Sequence, residues 1–300
     1  MSTTVDFAFV HAFHDNIHRL ASQMDSKLRQ YVRVRTGVVG KTDNWERLGG
    51  ADLVTLTSRH QATPIINPEH SRRRLIFTDK AGAVLLDDVD QVKMLISPQS
   101  EYARILAESA NRNWDDLIIA AATGNSTAVS NADATSSITL ASYVNPGGAN
   151  SGSNVIANGS TNLTTAKVKL AKLLLDDSDV EESERYFVSS PAGIRKLLDD
   201  TAVTSSDYNT VKALVNGEVD TWMGFKFIKT TRLAKSGNVR TCFAFQRKGL
   251  ALSIAIDNGA PEIDRRPDLN NSIQVLMKIS AGSVRVEEAR VVSVDIDETA

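Results

Sequence analysis

The chain has 300 residues, 42% of them hydrophobic and 23% charged, with 34 basic against 36 acidic side chains. That length is enough to bury a core in about two ordinary domains, and the composition excludes collagen, a long coiled coil and wholesale disorder. A formal net charge of -2 argues against a surface that grips nucleic acid everywhere, and the single cysteine, Cys242, leaves no internal disulfide.

The first residues carry no basic segment followed by an apolar one, so no signal peptide is read, and no apolar run reaches the roughly 18 residues of a membrane span. Phe9, Phe13, Ile17 and Leu20 give Phe7–Arg33 a helical character that turns β-like near Tyr31–Val34. Nothing in it specifies a core of its own, so it reads as an arm. After Gly49-Gly50, Leu53–Arg59 and Arg73–Thr78 read as strands, joined by a connection that Pro64 and Pro68 stiffen. A two-stranded arm is marginal alone in water and needs a surface to lie on.

Ser97-Pro98 is a helix start, an N-cap followed by proline at the first helical position. Tyr102, Ile105, Leu106, Leu117, Ile118 and Ala121 keep one apolar face, and Gly124 ends the helix. From Gly124 to Leu163 the chain is rich in Ser, Asn, Thr, Gly and Ala, with Asp133 its one charge, and predicts a surface excursion with short strands at Ser137–Leu140 and Asn154–Ala157. Thr164 or Thr165 caps a second helix through Leu175, after which acids from Asp176 to Glu184 read as a solvated charge run. Tyr186–Val188 predicts a strand and Ser190-Pro191 a helix. Strands follow near Val219–Trp222, Phe225–Thr230, Val239–Phe245 and Leu250–Ile256. Ile273–Ile279 and Val284–Val294 close the chain, punctuated by Gly282. The order is α+β, without a βαβ repeat.

Signals for chemistry are weak. All five histidines (His11, His14, His18, His60 and His70) lie in the first quarter, so a Ser-His or Cys-His triad would draw its base from the arm. His11, His14 and His18 share a helical face at zinc-ligand spacing, but an exposed polar face explains them as well. Gly37–Thr42 mimics a phosphate loop with two residues between its glycines instead of four, and Arg35 stands where the first glycine belongs. Asp177, Asp179 and Glu181 mimic a calcium loop that lacks its central glycine and final glutamate. Adjacent acids such as Asp115-Asp116 point apart on a helix and make poor acid/base pairs. No catalytic residue, cofactor or metal is assigned. Arg72-Arg73-Arg74, beside His70 and near Arg59, is the densest basic patch. It could hold phosphates, pair with acids of a neighbouring subunit, or be a solvated tip. Pairing ranks first because arginine binds carboxylates bidentately and is enriched at interfaces.

The series Arg59, Pro64, His70-Ser71-Arg72-Arg73, Asp87, Asp90, Ser97-Pro98 and Tyr102-Ala103 resembles tailed-bacteriophage major capsid proteins. So do Leu163-Thr164, Tyr186, Val188-Ser189-Ser190-Pro191, Asp207-Tyr208-Asn209, Gly217, Gly224-Phe225, Arg232-Leu233 and Gly282–Glu288. The resemblance implies the Johnson (Hong Kong 97-type) capsid fold. Its expected parts are an N-terminal arm over 1–48, an extended β-hairpin loop over 49–82, and a peripheral domain with a spine helix and the polar excursion over 83–162. An axial domain over 163–262 and peripheral return strands over 263–300 complete it. It also implies a structural, non-enzymatic protein that assembles as hexamers and pentamers into an icosahedral shell. The implied partners are a portal protein, a separate scaffolding or decoration protein, and double-stranded DNA held without sequence specificity, with no membrane. Arg59, Glu69, His70, Arg72, Arg73 and Arg74 are then the inter-subunit contacts of the extended loop. A scaffolding segment is not read at the N-terminus, and Lys80 carries no mark of a cross-linking residue. The rivals are an encapsulin-type shell around enzyme cargo, a cytosolic α+β enzyme, and a tail or neck ring protein.

Overall fold

The computed structural model describes residues 22–87, 99–129, 135–143, 153–199, 221–257 and 261–300. In chain order the elements begin with β1 (Arg33–Thr36), β2 (Thr42–Leu48), β3 (His70–Ile76), β4 (Thr78–Leu86) and α1 (Gln99–Thr123). Next come β5 (Ser126–Val129), β6 (Thr135–Ile138), β7 (Val155–Ile156), α2 (Thr165–Asp176), β8 (Arg185–Ser189) and α3 (Pro191–Leu198). Then follow β9 (Thr221–Trp222), β10 (Phe225–Lys229), β11 (Lys235–Ser236), β12 (Val239–Gln246) and β13 (Leu250–Asp257). β14 (Glu262–Arg266), β15 (Ser272–Arg285) and β16 (Val291–Asp297) close the order.

The chain divides into two compact units. The first takes 1–25, 79–112 and 257–279. In it β14 and the start of β15 form an antiparallel pair from Arg266↔Ser272 to Glu262↔Leu276, and Ala110 and Leu106 of α1 pack on Met277 and Ile279. Chain residues before α1 are tied to that helix by Ser22 Oγ, which donates to Glu108 at 3.3 Å, and by Arg112, which donates to the Gln23 carbonyl at 3.0 Å.

The second unit takes 26–78, 113–256 and 280–300. Its seven-stranded sheet runs β7-β16-β12-β8-β10-β9, with β11 on β12. Phe187, Phe225, Phe243 and Phe245 of that sheet are fully buried, with Ile118 of α1, Leu175 of α2 and Leu197 of α3 in the same core. Thr164 caps α2, its side chain accepting from the Lys167 amide, and Ser190 caps α3 by accepting from Gly193 with Pro191 in the first turn. Gly124 closes α1, its amide donating to the Ala120 carbonyl at 2.8 Å in a conformation that a Cβ, 2.5 Å from that oxygen, would block. Arg285 is buried at that end and donates to the carbonyls of Ala122 at 3.2 Å, Gly124 at 2.6 Å and Ile138 at 2.9 Å. It satisfies acceptors that a helix C-terminus leaves open.

Several expectations are corrected. Within the stretch read as an arm, Leu28 and Val32 lie in the main core, and β1 pairs in parallel with β13. Asp115 is buried and accepts from Ser26 Oγ at 2.6 Å and from the Lys27 and Leu28 amides at 3.0 and 3.1 Å, while neighbouring Asp116 turns to Arg232. Leu53–Arg59 is not a strand, and β2 takes its place in the hairpin. β5 pairs with β3 inside the stretch expected to hold only short strands further on. Gly282 does not break β15; it lets two backbones close, since a Cβ would stand 2.6 Å from the Ile76 carbonyl. The interruption falls instead at the 3-10 turn Glu288–Arg290. β16 lies inside the seven-stranded sheet between β7 and β12. The helical reading of Phe7–Leu20, the His11–His18 face, the Ser97-Pro98 start and Asp207–Val219 lie outside the described residues.

The acidic run is exposed as expected, with Asp177 alone half-buried, and some of its acids are paired. Asp176 and the carbonyls of Val180 and Glu181 surround buried Arg185. Glu181 meets Lys248 at 2.8 Å and Glu184 meets Arg247 at 2.7 Å. The Lys248 hydrogen bond leads the effects that hold the Glu181 carboxyl below its usual range. Of the Gly37–Thr42 stretch, residues 37–41 connect β1 to β2, with Gly37 at φ 70°, and Thr42 begins β2.

Candidate inter-subunit surface

β2 and β3 run antiparallel from Thr42↔Ile76 to Leu48↔His70, and side chains alternate across the ribbon. Asp43, Trp45, Arg73 and Leu75 face inward; Glu46, Arg72 and His70 face out. The inward set is anchored in two ways. Trp45 packs with Leu75, Ala251, Val284 and Val286, and its indole donates to Ser253 Oγ at 3.0 Å. Ser253 donates in turn to Asp43 at 2.6 Å, and Arg35 pairs with the other Asp43 oxygen at 2.7 Å. Arg33 and Arg35 stack on the Trp45 ring at 4.8 and 4.3 Å, and burial, ahead of repulsion from Arg290 and Arg35, lowers the Arg33 pKa.

The second anchor is a buried ion triad. Glu288 accepts from Arg73 Nε at 3.2 Å and Nη2 at 2.9 Å, and from Arg47 Nη1 at 3.1 Å. Arg73 is only 5% exposed. On a period of two it shares the inward face with Leu75, and its guanidinium is engaged by Glu288 of its own chain. The other candidates lie elsewhere. Arg72 is exposed and pairs with equally exposed Glu46 at 3.2 Å across the ribbon. Arg74 is half-buried, with Nε 3.5 Å from Asn44 Oδ1. Glu69 and His70 are exposed at the mouth of the hairpin, where the Gly49 amide donates to the Glu69 carbonyl at 2.7 Å. Arg59 is exposed in a turn completed by His60 at φ 70°. The structure thus gathers Glu69, His70, Arg72 and Arg74 on β3 or at its start, and leaves Arg59 out on the connection. Glu288 and Trp45, which hold the base, escaped the sequence reading because their partners are 215 and 208 residues away.

Gly49–Glu69 itself carries no regular secondary structure. Four of its large apolar side chains point into solvent: Leu53 is 94% and Ile65 89% exposed, with Val54 and Leu56 also exposed. A locked base thus carries a projecting tip whose Leu53, Val54, Leu56 and Ile65 have no cover among the described residues.

The model of the phage capsid protein family matches residues 5–298. The chain belongs to that family. This capsid protein has the Johnson fold expected from its sequence, and solved capsids share it closely. Over 98% of this chain and 94% of its counterpart it superposes on the capsid of cyanophage P-SCSP1u, at a TM-score of 0.69 and 16% identity. The capsid protein of a native GTA particle gives 0.71 at 12% identity, over 97% and 96% of the two chains. The holo-SrpI encapsulin from Synechococcus elongatus PCC 7942 gives 0.62 at 10% identity, over 100% and 97%. No curated protein matches the chain. At these identities the superpositions speak for the fold, and the family match distinguishes the capsid protein from its encapsulin rival.

Proposed function

We propose that copies of this capsid protein associate head to tail into hexameric and pentameric rings that close into an icosahedral virion shell around double-stranded DNA. Assembly would take place in the host cytoplasm, with a portal protein at one vertex and a separate scaffolding or decoration protein as further partners. The role is mechanical, and no catalysis is assigned to the chain. Heterologous contacts close into rings when the rotation between copies allows it. The observation that carries this reading is the projecting 49–69 tip: exposed Leu53, Val54, Leu56 and Ile65 on a base tied down by Trp45 and Glu288. Exposed apolar groups gathered on a projection are a surface for a partner. Around them Arg59, Glu69, His70, Arg72 and Arg74 supply a charged rim, and the near-balance of charge over the chain limits repulsion between copies.

The test is electron microscopy of the expressed protein beside an Arg59→Glu, Arg72→Glu variant. The parent forms closed particles, whereas the variant keeps its circular dichroism and melting temperature and forms none. Normal particles from the variant refute the rim assignment. A parent chain that stays monomeric at high concentration refutes the shell reading.

A further inference from the structure

Two unfinished pieces of β-structure occur in the same polypeptide. The first is an open edge. The four-stranded sheet runs β2-β3-β5-β6, so β6 has a strand neighbour on one side among the described residues. Its sequence is Thr135-Ser136-Ser137-Ile138, without charge or proline, and its first three residues are exposed. Open edges template the addition of another strand, and proteins blunt them with charge, proline or short length. The other described edges follow that rule. β1 carries Arg33 and Arg35, β2 carries Asp43, Glu46 and Arg47, and β14 carries Glu262, Asp264, Arg265 and Arg266. β4 carries Asp79 and Lys80, and β7, β9 and β11 are two residues long. Among the described edges longer than two residues, β6 is the one that carries neither charge nor proline, although it has only four residues and its Ile138 carbonyl accepts from Arg285.

The second piece is a strand without a sheet. Leu53-Val54-Thr55-Leu56 has strand composition and reads as a strand from sequence, yet it belongs to no ladder and its apolar side chains are exposed. The first described tie beyond it is that of Thr57, whose amide donates to Gln61 Oε1 at 2.9 Å. A segment with strand propensity gains regular structure by adding to an exposed edge.

We infer that Leu53–Leu56 of one copy adds as a strand to the β6 edge of a second copy, extending the β2-β3-β5-β6 sheet across the subunit boundary. The inference rests on the shell reading and names the partner of the tip. A second copy is the occupant because it offers both halves in equal number, and because the tip springs from the same sheet whose far edge is open. The contact is heterologous, tip to edge, as ring closure requires. Main-chain hydrogen bonds supply the attachment, and the exposed leucines rest beside the uncharged Ser/Thr strand.

Hydrogen exchange on the full chain, before and after assembly, tests it. The amides of Leu53–Leu56 and of Thr135–Ile138 exchange about ten-fold or more slowly in shells than in unassembled protein. A Ser136→Lys, Ser137→Lys variant, which blunts the edge at two exposed positions, keeps its melting temperature and loses about ten-fold in assembled fraction. Oxidation of shells that combine Ser137→Cys with Val54→Cys or Leu56→Cys joins different chains; native Cys242 is buried and stays silent. Protection of neither or only one segment, full assembly of the lysine variant, or a disulfide closed within one chain overturns the inference. Those results with normal shells leave the shell reading standing, whereas a parent chain that forms no shells removes both.

Discussion

Replacing Glu288 by alanine removes the acid that holds the hairpin base. Arg73 would lose two hydrogen bonds while remaining 5% exposed, so its charge would be stranded in a protein interior. Breaking a buried ion pair from one side costs about 3–5 kcal/mol. Arg47, with 29% of its side chain exposed, can turn toward water and adds less than about 1 kcal/mol. The expected loss for Glu288→Ala is therefore about 3–5 kcal/mol, read by urea unfolding of the unassembled chain followed by circular dichroism. Glu288→Met combined with Arg73→Met should recover most of it, because well-packed apolar groups can replace a buried pair at little cost. A Glu288→Ala loss below about 1 kcal/mol, or a double variant no better than the single, would mean that the triad does not hold the base. Arg73 charge reversal is for the same reason a stability variant, unsuited to probing contacts between copies.

Three more outcomes follow from the second unit. Arg285→Lys cannot reproduce the forked donation to Ala122, Gly124 and Ile138, and should cost about 2–4 kcal/mol in urea unfolding. Gly282→Ala drives a methyl into the Ile76 carbonyl and Leu75, for a loss of about 2–3 kcal/mol by the same assay; a silent substitution would mean that the approach is looser than described. Burial pushes the Cys242 thiol up to about 11. The folded thiol keeps its proton at a pH where the unfolded one has lost it, so this contribution is complete below about pH 9 and fades as pH rises to about 11. The difference approaches about 3 kcal/mol, and a Cys242→Ala variant, compared by unfolding at pH 8.5 and 10.5, should lack that part of the slope.

What could be read in the sequence depended on how far apart the interacting residues lie. The starts of α2 and α3 and the end of α1 are written in one turn of chain each: Thr164, Ser190-Pro191 and Gly124 act on backbone groups three or four residues away. Strand pairing is written nowhere locally. Leu53–Arg59 has the composition of a strand but no ladder, while the Thr42–Leu48 sequence, with Asp, Asn and Glu in it, becomes one because Trp45 finds Ser253. Among the candidate contacts, alternation alone separates Arg73 from Arg72: two residues before buried Leu75, it shares that residue's face. The overlooked β5 is hidden by its Ser-Thr-Ala-Val composition and exists because Arg72–Arg74 of β3 give it a partner.

The position of β16 bears on how the protein is made. Val291, Val292, Val294 and Ile296 fill the main core, and the strand is sandwiched between two others in its sheet. A ribosome delivers this strand after every other described strand and helix, and such distant pairings form slowly. Nascent copies would therefore leave the facing edges of β7 and β12 open until this strand has emerged, and that interval is when chaperones have the most to protect.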